Sequence, residues 1–193
     1  AILILCSIGI IKGQTVSDSL AIMSARWKVE SPQKGIIHKY ASIPRLYQGT
    51  QSVSLIEIEP GAGLKVDIAV SGEMKETSRI ASEHRAIAAI NGSYFDMKRG
   101  NSVCFLKVGN QVVDTTTLSE CKLRVTGAMH VHKGKIKLIP WSRQIEKEYK
   151  GETGIVLASG PLMLKDGQIC DWNSCGTNFI RTKHPRSAVA TTK

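Results

Sequence analysis

Residues 128–140 read AMHVHKGKIKLIP, two β-prone runs separated by Lys133-Gly134. Such a pair tolerates the positive φ angles of a tight turn, so this stretch predicts a β-hairpin. The same pattern recurs twice: at Gly109-Asn110, between runs 102–108 and 111–115, and at Asp166-Gly167, between runs 162–165 and 168–171. These hairpins together favour a sheet built from antiparallel strands.

Other runs predict further strands and a few helices. Leu64, Val66, Ile68 and Val70 alternate with polar residues, as in a half-buried strand. The remaining predicted elements are strands at 53–58, 86–90, 155–158 and 187–192, a helix at Thr77–Arg85 that Ser78 caps, and a helix at Gln144–Lys150. The sequence therefore predicts an α+β fold: a β-rich mixed domain with several antiparallel hairpins and two or so short helices.

The chain is strongly basic. It has 193 residues, with 26 Lys and Arg against 16 Asp and Glu, which gives a formal net charge of +10. An excess of this size favours anionic partners, although a solvated basic surface explains it equally well. The basic residues are scattered, and no Lys/Arg run with interleaved aromatic residues occurs. Nucleic acid is therefore not predicted as a partner.

The first residues differ from the rest of the chain. Residues 1–11 read AILILCSIGII, without a charge, and Lys12 follows. This block is shorter than the roughly 20 residues of a membrane-spanning helix, and it is typical of the apolar region of a signal peptide. We expect a signal peptide at 1–14, a mature domain at 15–193 without a transmembrane helix, and a secreted, periplasmic or cell-surface location. The alternative is a buried first strand or helix.

Export would change the interpretation of the cysteines. Four lie after the predicted signal peptide, namely Cys104, Cys121, Cys170 and Cys175. An even number in an oxidising compartment predicts one or two disulfides, with three possible pairings. The local pairs Cys104–Cys121 and Cys170–Cys175 are favoured because turn residues already fold each of these loops back.

Residues 87–96, IAAINGSYFD, combine an apolar run with polar groups that can meet a ligand. Asn91 and Gly92 offer a side-chain amide and bare backbone amides at the end of a predicted core strand. Asp96 adds a carboxylate nearby. The structural alternative is a tight turn packed under the two aromatic residues that follow.

A second candidate segment is His184-Pro185-Arg186, which lies in a basic patch with Arg181 and Lys183. Pro185 restricts the backbone, and the guanidinium of Arg186 can hold an anion through two parallel hydrogen bonds. A solvated basic turn is the simpler alternative.

Metal and cofactor signals are weak. His130 and His132 are spaced to ligate a metal from one face of a strand, but such a pair is more often the polar face of a hairpin. No phosphate-binding glycine loop, dinucleotide fingerprint or HExxH motif occurs. No cofactor is predicted, and participation of a divalent cation is left open.

Three segments in order, INGSYFD, ASGPLMLKDGQI and RTKHPRSAVATT, resemble the phosphodiester glycosidase family. The resemblance covers about Ser52–Lys193. The first motif is usually NGGFF in this family, so Ser93 replaces its second glycine, whereas residues 184–188 match the family's HPR-T/S-A closely. The family normally continues into a DGR segment and a glycine-rich aspartate loop. Neither occurs here, and we expect the gene to continue beyond Lys193.

The resemblance implies hydrolysis of the sugar C1–O bond of a sugar-1-phosphodiester in a phosphorylated or otherwise anionic glycan. It implies that Asp96, His184 and Arg186 are catalytic. The substrate-binding residues that it implies are Asn91, Gly92, Gly160 and Arg186. The alternative function is a noncatalytic secreted protein of the same fold that binds glycans or assembles surface polysaccharide.

Overall fold

The computed structural model describes residues 2–3, 16–151 and 153–192. Its elements, in chain order, are β1 (Ile2–Leu3), α1 (Val16–Met23), β2 (Lys28–Gln33), β3 (Ile36–Leu46), β4 (Gly49–Ile58), α2 (Thr77–Glu83), β5 (Leu106–Gly109), β6 (Gln111–Asp114), α3 (Leu118–Leu123), β7 (Gly127–His132), β8 (Lys135–Pro140), α4 (Arg143–Glu148), β9 (Gly154–Ser159), β10 (Leu164–Lys165), β11 (Gln168–Ile169), α5 (Thr177–Arg181) and β12 (Ala190–Thr191). They fall into two compact units, the first comprising residues 1–64 and 180–193 and the second residues 65–179.

The first unit contains a five-stranded sheet in the order β12-β1-β4-β3-β2. Its longest pairing joins β3 and β4 through a turn in which Tyr47 and Gln48 have positive φ angles of 52° and 64°. Buried Ile43, Leu46 and Val53 form its core, against which residues of α1 pack. Most of the predicted signal peptide lies outside the described residues, so that assignment stays a prediction.

The second unit contains a five-stranded antiparallel sheet in the order β6-β5-β9-β7-β8. Its central strand, β9, carries four consecutive buried residues, 155–158, because both of its faces are covered. The core comprises Cys104, Phe105, Val125, Ala128, Trp141, Val156 and Ala158.

The β-rich α+β fold class is confirmed. The three predicted hairpins form as β5–β6, β7–β8 and β10–β11. The helix predicted at 144–150 is α4, and the strand predicted at 53–58 is part of β4. The described residues contain five helices rather than two or so, because short capped helices such as α3 leave little hydrophobic periodicity in the sequence.

Several predicted elements differ from the structure. Residues 64–70 and 86–90 form no strand, although Leu64, Val66 and Ile68 are half-buried between exposed neighbours. A strand requires a hydrogen-bonded neighbour, and no strand pairs with either segment in the described part of the chain. Ile87 is 49 % exposed, so an apolar run did not ensure burial. In addition, the N-cap of α2 is Glu76 rather than Ser78.

The predicted disulfides are not present. Cys104, Cys121, Cys170 and Cys175 are free thiols in the structure. Two of them have different neighbours: the Cys104 thiol lies beside Ser93, and that of Cys121 lies beside Arg143. Separately, no helix in the ranges that the structure describes is long and apolar enough to cross a bilayer.

Candidate functional site

We call residues 91–96 the Asn-Gly corner. Its backbone is irregular, and two hydroxyl groups attach it to the end of β9. The Ser93 hydroxyl donates to the carbonyl oxygen of Ala158 over 2.8 Å, and the Tyr94 hydroxyl donates to that of Gly160 over 2.7 Å. The fold thus brings together two of the segments that resemble the family, INGSYFD and ASGP.

Close packing explains one of the two glycines that were predicted to bind substrate. A Cβ atom on Gly160 would lie 2.2 Å from the carbonyl oxygen of Arg124, so a side chain is excluded there. A Cβ atom on Gly92 would lie 3.2 Å from Leu157 Cδ2, a tighter contact than usual. Gly160 therefore has a structural reason to be present, and the predicted contact of both glycines with substrate stays a prediction.

The outer surface of the corner is accessible. Asn91 and Gly92 are exposed, whereas Ser93 and Tyr94 are half-buried where they meet β9. The corner thus combines a firmly seated inner side with a side chain and backbone that a ligand can reach. This arrangement suits recognition by hydrogen bonds.

Asp96 is the last residue of the corner, and a tight turn begins at it. Its Oδ1 accepts hydrogen bonds from the backbone amides of Lys98 (2.7 Å) and Arg99 (3.1 Å). These two bonds hold the pKa of the Asp96 carboxyl below its ordinary value, because they favour the charged form. The group is therefore ionised at neutral pH. It can stabilise positive charge, but it is poorly suited to donate a proton.

An ion pair that the sequence analysis missed lies beside the corner. The guanidinium of Arg124 stacks 3.6 Å from the centroid of the Tyr94 ring. Glu120 accepts two hydrogen bonds from it, at 2.6 Å from Nε and 2.8 Å from Nη2. The i,i+4 spacing of Glu120 and Arg124 was visible in the sequence, but their position beside Tyr94 depends on tertiary packing.

The second predicted segment lies in the first unit. His184 is exposed, and Arg186 is half-buried with its Nη2 donating to the carbonyl oxygen of Thr182 over 3.2 Å. The neighbouring Lys183 donates to the carbonyl oxygen of Tyr47 over 2.9 Å. The Asn-Gly corner belongs to the second unit. Convergence of Asn91 and Arg186 on one ligand stays a prediction.

The predicted histidine pair lies on β7. The ring centroids of His130 and His132 are 6.1 Å apart, and His132 Nδ1 is hydrogen-bonded to the carbonyl oxygen of Thr153. Within residues 2–3, 16–151 and 153–192, no group of three or more His, Cys, Asp or Glu side chains is placed to hold a metal ion. The metal-site alternative therefore has no support from the described residues.

Comparison with known proteins identifies the family. The model of the phosphodiester glycosidase family matches residues 84–193. No curated protein and no solved structure gave a significant match. The matched region contains the Asn-Gly corner, Gly160 and the segment 184–186, and it covers more than half of the chain. The chain therefore belongs to the phosphodiester glycosidase family.

Proposed function

We propose that this protein hydrolyses the bond between sugar C1 and the phosphodiester oxygen of a sugar-1-phosphodiester in an anionic glycan. Glycosidase activity on phosphodiesters in general follows from the family. The observation that carries the specific proposal is that the family match includes every residue predicted to act on substrate: Asn91, Gly92, Asp96, Gly160, His184 and Arg186.

The reaction needs little help from a general acid. Water adds to C1 and releases a proton while the C1–O bond breaks, and the oxygen leaves with its electron pair as part of a phosphate monoester. The second pKa of such a monoester is about 6, so it departs readily at neutral pH. The main requirements are therefore cationic stabilisation of the departing phosphate and anionic stabilisation of the oxocarbenium-like centre.

The side chains of this chain suit those roles. Asp96, which its backbone hydrogen bonds keep ionised, would face the positive charge that develops at C1. Arg186 and His184 would bind the phosphate, and the exposed Asn91 and Gly92 would orient sugar hydroxyl or phosphate oxygens. The basic net charge of +10 is compatible with an anionic substrate.

The proposal includes a place of action. The apolar block at residues 1–11 is typical of a signal peptide. We therefore propose a secreted, periplasmic or cell-surface glycosidase. Expression with its native leader, followed by assay of the exported fraction, tests this location.

Turnover of an N-acetylglucosamine-1-phosphodiester by the full-length protein tests the reaction. We expect Arg186→Ala to lower kcat/KM about 100-fold, the typical effect of removing one group that stabilises transition-state charge. The matched control is Arg181→Ala, because Arg181 is an exposed arginine of the same basic patch. It should change kcat/KM by less than about twofold, as is usual for an exposed charge outside the site.

These assays distinguish a wrong role for Arg186 from a wrong assignment of the activity. Equal turnover by wild type and Arg186→Ala would remove Arg186 from the site while leaving the activity in place. Lack of turnover by the wild type on a panel of sugar phosphodiesters, together with retained binding of the same compounds, would assign the noncatalytic glycan-binding function instead.

A further inference from the structure

A cleft in the second unit lies among residues that the proposed reaction does not use. Its volume is about 640 Å³, which is in the range of small-ligand sites. The residues that line it are Phe105, Lys107, Asn110, Val112, Thr115, Thr116, Arg143, Glu146, Lys147, Tyr149, Lys150 and Gly151. None of them belongs to the Asn-Gly corner or to the segment 184–186.

The walls of the cleft are strongly basic. Lys107, Arg143, Lys147 and Lys150 contribute four positive charges, and Glu146 contributes the single carboxylate of the lining. Lys107 is only 8 % exposed, and its ammonium group lies 3.4 Å from the carbonyl oxygen of Gly151. Positive charges gathered around a concave surface attract anions more strongly than the same charges spread over a convex one.

The carboxylate of Glu146 is engaged in hydrogen bonds within the protein. It accepts hydrogen bonds from the backbone amide of Thr116 (2.8 Å), the hydroxyl of Thr116 (2.5 Å) and the indole of Trp141 (3.1 Å). These three bonds join α4 to the segments that follow β6 and β8. A carboxylate held in this way is directed at its donors. Of the basic side chains around it, those of Arg143, Lys147 and Lys150 are exposed.

Aromatic and hydroxyl groups complete the lining. The Tyr149 ring is half-buried, with its centroid 5.3 Å from that of Trp141 and 6.0 Å from that of Phe105. The Lys107 ammonium group lies 5.8 Å from the centroid of the same ring. A rigid aromatic surface beside cations and beside polar groups of Asn110 and Thr115 suits a ring that bears both hydroxyl and acidic groups.

We propose that this cleft binds a phosphorylated saccharide, with its phosphate on the lysine and arginine side chains and its sugar ring against Tyr149. The site shares no residue with the proposed reaction centre, and its ligand need not be cleaved. Binding there would hold an anionic glycan on the protein whether or not the glycosidase reaction takes place.

Calorimetric titration of the full chain with glucose 1-phosphate at low ionic strength tests the proposal. We expect the double variant Lys147→Ala/Lys150→Ala to weaken binding about tenfold or more, since it removes two charges from one wall. The charge-matched control is Lys135→Ala/Lys137→Ala, two exposed lysines of β8 outside the lining. It should retain affinity to within about twofold.

Titration with further ligands shows which chemical class of ligand the cleft prefers. Neutral glucose should bind much more weakly than glucose 1-phosphate, and inorganic phosphate should bind less tightly because it lacks the ring. Equal affinity of both double variants for glucose 1-phosphate would overturn the proposal. Tighter binding of a six-nucleotide oligothymidine, lost in Lys147→Ala/Lys150→Ala alone, would also overturn it, and would assign the cleft to single-stranded nucleic acid. Because these measurements need no turnover, they remain informative if the glycosidase proposal fails.

Discussion

Ser93 and Tyr94 occupy positions where the family usually has glycine and phenylalanine, and each adds a hydroxyl group that the usual residue lacks. Both hydroxyls donate to carbonyl oxygens at the end of β9. The motif could be recognised from the sequence, but its partners could not be predicted because they lie 65 and 66 residues away along the chain. At the scale of single residues, the position of the corner could be predicted, but its two hydrogen bonds to Ala158 and Gly160 could not.

Removal of one of these hydroxyls should have a measurable effect. We expect Tyr94→Phe to lower the free energy of unfolding by about 1 kcal/mol, the usual net contribution of one hydrogen bond. Urea denaturation of the variant and of the wild type measures it. Tyr40→Phe makes the same chemical change in the first unit, where the ring stacks on His38, and should have a smaller effect. Equal losses in the two variants would contradict the anchoring role of Tyr94.

Cys104 gives a second residue-level prediction. Burial raises the pKa of its thiol to about 11, so almost no thiolate is present at pH 8. We expect iodoacetamide to modify Cys170 well before Cys104 in the native protein, as measured by mass spectrometry of peptides. Fast modification of Cys104 under native conditions would contradict its burial.

The same shift affects stability. The unfolded chain releases this proton near pH 9, whereas the folded chain retains it up to about pH 11. The stabilisation from the neutral thiol is therefore complete below pH 9 and decreases as the pH rises from 9 to 11.

Among the secondary-structure elements, hairpins were easier to predict than isolated strands. A turn pair such as Lys133-Gly134 requires local backbone geometry, and both strands of β7–β8 lie next to it in the sequence. The segments 64–70 and 86–90 have convincing strand patterns, yet a strand also needs a partner from a distant part of the chain. Local patterning contains no information about that partner.

Two i,i+4 ion pairs allow a controlled comparison. Glu120 and Arg124 form one at the end of α3, and Arg79 and Glu83 form the other in α2. Arg124 and Glu120 are largely buried, with 25 % and 10 % of their side chains exposed, whereas Arg79 in α2 is 71 % exposed beside Glu83. We expect Arg124→Gln to lower the free energy of unfolding by about 2 kcal/mol, because it leaves a buried carboxylate without its partner. Arg79→Gln should change it by less than about 0.5 kcal/mol.

Urea denaturation of both variants measures this difference. An effect of Arg124→Gln as small as that of Arg79→Gln would show that the stacking on Tyr94 and the bidentate pair contribute little. A large effect would establish α3 as a support for the Asn-Gly corner.

For the whole molecule, the second unit is contained within the sequence of the first. One mature domain from residue 15 stays a prediction; no linker or change in composition marks residues 64–65 or 179–180. Such boundaries depend on which distant segments pack together, and local composition does not show this. The family match from 84 to 193 runs through most of the second unit and into the last part of the first.

We expect residues 65–179, produced alone, to fold, because they contain their own five-stranded sheet and core. Dispersed amide resonances and a cooperative urea transition would demonstrate it. The control is the same fragment with Val156→Asp, which introduces a charge at a fully buried position of β9 and should abolish both signals. A collapsed amide spectrum of the unsubstituted fragment would contradict its independence.

The attachment of the corner to β9 has a consequence for recognition. Loops that meet ligands commonly lose conformational entropy on binding, which subtracts from affinity. Here Ser93 and Tyr94 are held by the middle strand of a sheet whose neighbours on both sides are hydrogen-bonded to it. Gly92, next to them, is thus preorganised, and the proposed contact of Gly92 with substrate would require little further ordering of the chain.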